Sequence, residues 1–257
     1  MGEGWSAVGD QAASGGVWAV LGIAGPAVCA ALLAFFLVRA VVRHRRYRVV
    51  ASFGPDDERA VHEALADAER KTVGEILPVV VERSDRHPGA DWLAALAFVL
   101  VGSALLAAWL PWNRPVLVIA SQVAMGAVGF ALARLLPDFK RVFIFEDRAD
   151  EVAGEQAFQE FYRNELHKTE AATGVLLFVS LLEHRVVVLA DDGIDSKVDA
   201  KFWAETDDLI LDGIRKGSLR DGLVAGIRKA GDELARDFPW TAADRNEIPD
   251  RLIVRKQ

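Results

Sequence analysis

The segment "TGVLLFVSLLEHRVVVLADDGID", residues 173–195, decides the fold, because it holds two apolar runs joined by a short polar link. Short runs rich in Val, Leu and Phe are typical of buried strands. The segment therefore predicts strands at 175–180 and 185–190, connected as a hairpin through residues 181–184. Since both runs are almost continuously apolar, we expect a sheet that is covered on both faces.

Helical patterns lie on both sides of this strand pair. One helix is predicted before it, at 151–169, and another after it, at 199–216. A last helix is predicted from Leu219 onward, with Ser218 as its N-cap and with Phe238-Pro239 ending it.

A second group of elements comes much earlier in the chain. A helix is predicted at 55–72 and a strand at 74–84. Pro78 lies in that strand and cannot donate a ladder hydrogen bond, so we expect an edge strand or a bulge. The tail at 240–257 is polar except for "LIV" at 252–254, which suits either an extra edge strand or a disordered end.

The composition combines membrane and soluble character. Of the 257 residues, 52% are hydrophobic and 26% are charged, which predicts membrane segments joined to one charged domain. The net charge of −7 and the lack of a basic, aromatic-rich patch argue against binding to nucleic acid. Cys29 is the only cysteine, so neither an intrachain disulfide nor a cysteine-based metal site is expected.

The first predicted membrane span is residues 17–42, an apolar run longer than the ~20 residues that cross a bilayer. The tail at 1–16 contains no Lys or Arg, whereas arginines cluster at the other end of the span. This asymmetry predicts that the N-terminus lies outside and that the following chain lies in the cytoplasm. The clustered residues are Arg39, Arg43, Arg45, Arg46 and Arg48.

Two further spans are predicted at 92–110 and 116–136, joined by the turn "PWNRP" at 111–115. The basic flanks of the pair predict a hairpin that enters and leaves on the cytoplasmic side. The chain is thus expected to be a multi-pass protein of the inner (cytoplasmic) membrane, with the lipid bilayer as its first partner.

The predicted fold class is α/β, a small mixed β-sheet flanked by helices, interrupted by a transmembrane hairpin and preceded by a transmembrane helix. Its first part is 55–84 and its second part is 146–239, with the hairpin at 92–136 between them. The strand in the first part has no partner before residue 175. Because both ends of a hairpin emerge on the same side, the two parts can meet as one domain.

Small residues recur along the third predicted span at helical spacing. They suit close helix packing, either among the chain's own three helices or against the helices of a partner. The abundance of alanine in membrane spans favours the first interpretation. The residues are Ala120, Ala124, Ala127 and Ala131, beside Gly126 and Gly129.

The order of these elements, and three of their sequences, resemble the TPM domain family, in particular its short membrane-bound bacterial members. The sequences are "TVGEILPVVV", "HKTEAATGVLLFVSLLEHRVVVLADDGI" and "FWAETDDLILDGIRKGSLRDGLVAGIRKAGDELARDFP". The resemblance covers 58–83 and 155–239, and it implies a small mixed sheet between helices. It further implies either divalent-cation binding through acidic residues near strand ends, acid phosphatase activity, or a non-catalytic role in assembling or maintaining membrane complexes.

An acidic segment follows the second strand, where longer family members have "GYG" and this chain has Asp191-Asp192-Gly193. Ca²⁺ takes six to eight oxygen ligands, which carboxylates from this segment and from more distant acids could supply. The same residues also suit turns and the first turns of helices, so both interpretations stay open. The candidate ligands are Asp191, Asp192, Asp195, Asp199 and Asp221.

Candidate acid–base groups are His167 and the Glu183-His184 pair, while Ser180 is interpreted as a strand residue. The sequence contains no DxDxT, no Cys-x5-Arg and no Gly-rich phosphate loop. We therefore expect a non-catalytic accessory factor for a membrane protein complex, with a divalent cation such as Ca²⁺ stiffening a loop. A metal-dependent acid phosphatase is the first alternative, and a structural subunit held in a larger complex through the third span is the second.

Overall fold

The computed structural model describes residues 53–105, 113–242 and 246–255. The predicted tail at 1–16 and the predicted first span at 17–42 lie outside these ranges. The described chain divides into two compact units. Residues 87–143 form the hairpin unit, and residues 53–86 together with 144–255 form the α/β unit.

The described residues contain four strands, eight α-helices and one 3-10 turn. The strands are β1 (Glu75–Val81), β2 (Gly174–Ser180), β3 (Arg185–Ala190) and β4 (Ile253–Arg255). The helices are α1 (Pro55–Glu69), α2 (Pro88–Leu105), α3 (Pro115–Leu135), α4 (Pro137–Arg141), α5 (Glu146–Arg163), α6 (Asp192–Asp195), α7 (Ala200–Arg215) and α8 (Leu219–Asp237), with a 3-10 turn at Leu166–Lys168.

The four described strands form one mixed sheet in the order β3-β2-β1-β4. β1 runs parallel to β2, with Val79 opposite Phe178, and it also runs parallel to β4. β2 and β3 form the predicted antiparallel hairpin. The strand before the helical hairpin therefore pairs with the strand after it, which confirms the predicted sheet of two distant chain segments.

The sheet of the α/β unit is covered on both faces, as the continuously apolar strands predicted. Because side chains alternate along a strand, Ile76 and Leu177 enter one core, while Leu77 and Phe178 enter the other. The first core contains residues of α1, α7 and α8. The second contains residues of α5, including Phe161.

The prediction that Pro78 marks an edge strand or a bulge was wrong, because β1 lies inside the sheet. The N–H of Glu75 donates to the carbonyl oxygen of Thr173, whereas the N–H of Glu82 donates to that of Arg255. Backbone groups of alternate residues face opposite neighbours, so the nitrogen of Pro78 is directed to the β4 side. Pairing with β4 begins only after Pro78, so no ladder bond is lost there.

Both ends of α5 differ from the prediction. α5 begins at Glu146 rather than at 151 and ends at Arg163 rather than at 169. The backbone of Glu165 then takes a left-handed conformation, with φ of 60°, which is incompatible with continuing the helix. Residues Leu166–Lys168 add only a single 3-10 turn.

The hairpin unit consists of α2, α3 and α4, with α2 and α3 packed against each other. The rings of Trp92 and Phe130 lie 5.0 Å apart. A Cβ atom at Gly129 would lie 2.6 Å from the carbonyl oxygen of Ala94, so only glycine allows this approach. At the base of the unit, the Nζ of Lys140 lies 3.0 Å from the buried carboxylate of Asp91, joining the start of α2 to the segment after α3.

α3 is long and apolar enough to cross a membrane by length and composition, and only 11% of its apolar window is buried. The structure thus has an exposed apolar helix at the predicted span 116–136, and its crossing of a membrane stays a prediction. The apolar part of α2 that the structure describes, Pro88–Ala104, is shorter. The rest of the predicted span at 92–110 lies among residues 106–112, outside the described ranges.

Candidate functional site

The acidic segment after β3 forms helix ends. The carboxylate of Asp191 accepts the N–H of Asp192 at 2.9 Å and caps α6. Asp199 caps α7 in the same way, through the N–H of Lys201 at 2.9 Å. Asp192 and Asp195 lie within α6, so the "DDG" sequence forms a capped helical turn. The second carboxylate oxygen of Asp191, Oδ2, is buried and has no hydrogen-bond partner among the described residues.

The remaining predicted ligand, Asp221, lies in the first turn of α8. Its N–H donates to the Oγ of Ser218 at 3.1 Å, which confirms the predicted N-cap. Hydrogen bonding with Ser218 and then with Arg220 lowers the pKa of the Asp221 carboxyl below its usual value. Among residues 53–105, 113–242 and 246–255, no three His, Cys, Asp or Glu side chains form a group that could hold a metal ion. Metal binding by the acidic residues stays a prediction.

The Glu183 carboxylate is buried in the turn between β2 and β3. It accepts the backbone N–H groups of Ser84, at 3.1 Å, and of Asp85, at 3.3 Å. The hydroxyl of Ser180 also donates to it, and the Oγ of Ser84 lies 2.9 Å from that of Ser180. Glu183 thus fastens the chain that leaves β1 to the end of β2. Its hydrogen bonds are those of a structural carboxylate rather than of an exposed general acid.

The two histidines proposed as acid–base groups also occupy structural positions. The ring of His167 lies 4.6 Å from that of Tyr162, which in turn lies 4.6 Å from the ring of Phe158. His184 takes a left-handed conformation in the β2–β3 turn, with φ of 52°, where the sequence offers no glycine.

Sequence reasoning missed Asp207, on the face of α7 that packs against β3. Burial raises the pKa of its carboxyl to about 7, the charge of Asp208 adds to this rise, and a hydrogen bond from the backbone of Val188 opposes it. One oxygen, Oδ1, is buried without a hydrogen-bond partner within the described ranges. Helical spacing could have identified this residue, since Asp207 lies four positions after Trp203 and three before Ile210, both of which are buried.

Two further carboxylates that the sequence did not single out hold the C-terminal segment. The buried Glu75 accepts the N–H groups of Glu247, at 3.0 Å, and Ile248, at 3.3 Å. The fully buried Glu160 forms an ion pair with Arg255, at 2.6 Å. No local sequence signal reveals these partners, because the paired residues are far apart in the chain.

A polar cavity of about 310 Å³ lies beside the start of β1. It is lined by acidic, basic and aromatic side chains. The lining residues are Ala66, Glu69, Arg70, Thr72, Gly74, Glu75, Trp240, Asn246 and Asp250.

Comparisons with known proteins agree with this fold. Residues 136–233 match the family model of the TPM domain, as the sequence resemblance predicted. No curated protein matches the chain. The NMR structure of the BA42 protein from the psychrophilic bacterium Bizionia argentinensis is similar, with a TM-score of 0.50 and 22% sequence identity. The match covers 79% of this chain and 95% of that chain, and it supports the fold alone.

Proposed function

We propose that the chain, of which residues 136–233 match the TPM domain family model, is a membrane-anchored, non-catalytic accessory factor that assembles or maintains a membrane protein complex. The observation that carries this proposal is the apolar helical hairpin inserted between β1 and β2. Because the hairpin is part of the same chain, the α/β unit is anchored to the apolar environment that covers α3.

α3 exposes large apolar side chains along its length, including Val116, Ile119, Val123 and Leu135. An exposed apolar surface of this kind is covered in the cell by lipid, by another protein, or by both. Together with the arginine cluster at 39–48, it supports an inner-membrane location with the TPM domain in the cytoplasm.

The roles of the candidate chemical groups support a non-catalytic function. Glu183 accepts hydrogen bonds from Ser84, Asp85 and Ser180. Asp191 and Asp199 cap helices. A catalytic acid or base must reach a substrate proton, and the hydrogen bonds that these groups make within the fold support a structural role for them.

A divalent cation at the acidic segment is a subsidiary part of the proposal. The buried Oδ2 of Asp191 would gain a partner if Ca²⁺ bound there, since hard cations prefer carboxylate oxygens. The test is a Ca²⁺ titration that follows the melting temperature of the detergent-solubilised chain. We expect a rise that the change Asp191→Asn abolishes, and no shift in the unmodified chain would contradict the site.

The accessory role is tested by affinity purification of the tagged chain in mild detergent, followed by mass spectrometry. We expect a membrane protein to co-purify in stoichiometric amount. The double change Asp191→Asn with Asp192→Asn tests the phosphatase alternative, because Asn caps helices as well as Asp does and the domain should stay folded. Phosphomonoester hydrolysis that the double change abolishes would establish the phosphatase and refute the accessory role.

A further inference from the structure

The C-terminal strand β4 has little ladder of its own. It pairs with β1 over three residues only, Ile253–Arg255, all of which are half-buried. The ladder cannot extend toward the start of β1, because Pro78 has no N–H to donate on that side. A strand this short gains little stability from backbone hydrogen bonds alone.

Two buried carboxylates supply much of the attachment instead. Glu75 accepts the N–H groups of Glu247 and Ile248, at the beginning of the C-terminal segment. Glu160 forms an ion pair with Arg255, at its end. The segment 246–255 is therefore held at both ends by buried carboxylates of the α/β unit.

The ion pair between Glu160 and Arg255 can be broken and replaced by another without leaving Glu160 unpaired. Besides Arg255, the carboxylate binds the guanidinium of Arg163 at 2.8 Å and the side-chain amide of Asn164 at 3.1 Å. Removing the only partner of a buried charge is strongly destabilising. Here the local partners remain when Arg255 departs, so release of β4 leaves no uncompensated charge at Glu160.

Release of β4 would expose a binding edge. The N–H of Glu82, which now donates to the carbonyl oxygen of Arg255 at 3.2 Å, would become available. The apolar sites of Ile253 and Val254, which pack on opposite faces of the sheet, would open with it. Glu160 would lie at the end of this edge as a buried anionic group.

We infer that the β1 edge is a binding surface for an extended segment of a partner protein, which replaces β4 by strand addition. The segment presents two adjacent apolar residues followed by Arg, which takes the place of Arg255 at Glu160. This inference deepens the proposed accessory role and rests on it for the existence of a protein partner.

The test is a competition between β4 and a labelled peptide of residues 246–255, "NEIPDRLIVR". Its binding to the full-length chain in detergent is followed by fluorescence anisotropy, with circular dichroism confirming that each variant is folded. In the unmodified chain β4 competes with the peptide. In the Arg255→Ala chain the competitor is weakened, and we expect binding about tenfold tighter, which corresponds to a loss of about 1.4 kcal/mol from the contact between Glu160 and residue 255.

Two controls make the inference specific. A peptide that ends in Ala instead of Arg should bind the Arg255→Ala chain without the tenfold increase in affinity. Adding the change Glu160→Gln to the Arg255→Ala chain should also remove this increase in affinity for the peptide that ends in Arg. Equal binding to the unmodified and Arg255→Ala chains would overturn the inference, as would dimerisation of the Arg255→Ala chain by strand exchange between copies. Peptide binding does not depend on co-purification, so failure of the docking surface and failure of the accessory role are distinguishable.

Discussion

At the scale of single residues, burial makes the ionised form of the Asp207 carboxyl unfavourable. Its carboxyl has a pKa of about 7 in the folded chain, against an ordinary value of 3.8. The folded chain therefore holds this proton more tightly than the unfolded chain does. Consequently the free energy of unfolding falls as the pH rises from about 4 to about 7, and it stays low at higher pH.

The change Asp207→Asn should remove this loss of stability. At pH 8 we expect the variant to be more stable than the unmodified chain by on the order of 1–3 kcal/mol, with the difference vanishing towards pH 4. Urea denaturation of the detergent-solubilised chain at several pH values measures this. The exposed neighbour Asp208 provides the control, because Asp208→Asn should retain most of the pH dependence. A slope unchanged by Asp207→Asn would contradict the assignment.

Glu183 is the second residue whose replacement should have a large effect. Glu183→Ala leaves the N–H groups of Ser84 and Asp85 and the hydroxyl of Ser180 without their acceptor. We expect a loss of about 3 kcal/mol in the free energy of unfolding. Glu183→Gln keeps one acceptor oxygen and should lose less, and Glu58→Ala on the exposed side of α1 should lose almost nothing. Equal stability of the Ala and Gln variants would show that the hydrogen bonds accepted by Glu183 do not stabilise the β2–β3 turn.

At the scale of elements, periodicity and caps were sufficient to predict most of the α/β unit. β3 begins and ends as predicted, and Ser218 caps α8. The first turn of α5 was missed because its sequence, "EDRAD", has no apolar periodicity. The end of α5 was missed because Glu165 takes the left-handed conformation without a glycine to signal it.

The buried carboxylates that hold distant segments together were harder to predict. In the sequence, Glu75 and Glu160 look like ordinary surface residues and Glu183 is a candidate acid–base group, yet all three are buried. Their partners come from elements far away in the chain, so only the tertiary structure brings donor and acceptor together. The acidic segment at 191–199 was singled out correctly as a strand end, and its turn chemistry proved to be helix capping.

Helix packing in the hairpin unit gives a test with a matched control. Gly129→Val places methyl groups against Ala94 and Phe98, where even a Cβ atom is too close. We expect a loss of about 1–3 kcal/mol in stability, measured by thermal unfolding in detergent. Ala127 is exposed on α3, so Ala127→Val should leave stability unchanged. If both variants unfold alike, Gly129 does not set the approach of the two helices.

The same Ala127→Val variant tests the use of the alanine-rich face of α3. Ala120, Ala124, Ala127 and Ala131 are all exposed among the described residues, whereas Gly126 and Gly129 approach α2. If a partner helix packs closely on the alanines, Ala127→Val should reduce co-purification without lowering the melting temperature. If the partner is recovered in the same amount, the alanine-rich face of α3 contacts lipid or the chain's own first predicted span rather than the partner.

At the scale of the whole molecule, the account rests on a domain whose two parts are separated in sequence by an apolar hairpin. The β1–β2 ladder joins these parts, and contacts outside the sheet do so as well. The Nζ of Lys71, before the hairpin, lies 2.7 Å from the carboxylate of Asp232, after it, and both side chains are exposed. In a membrane, this pair can form only if the hairpin returns the chain to the side from which it entered.

Cross-linking of this pair in native membranes tests that claim most directly. Lys71 and Asp232 are replaced by Cys in a chain whose only natural cysteine, Cys29, is changed to Ser. A short bifunctional maleimide should then give an intramolecular cross-link that requires both cysteines and that a membrane-impermeant thiol reagent, added from the cytoplasmic side, prevents. Two cysteines that never cross-link, and that the impermeant reagent labels from opposite sides of the membrane, would contradict the account.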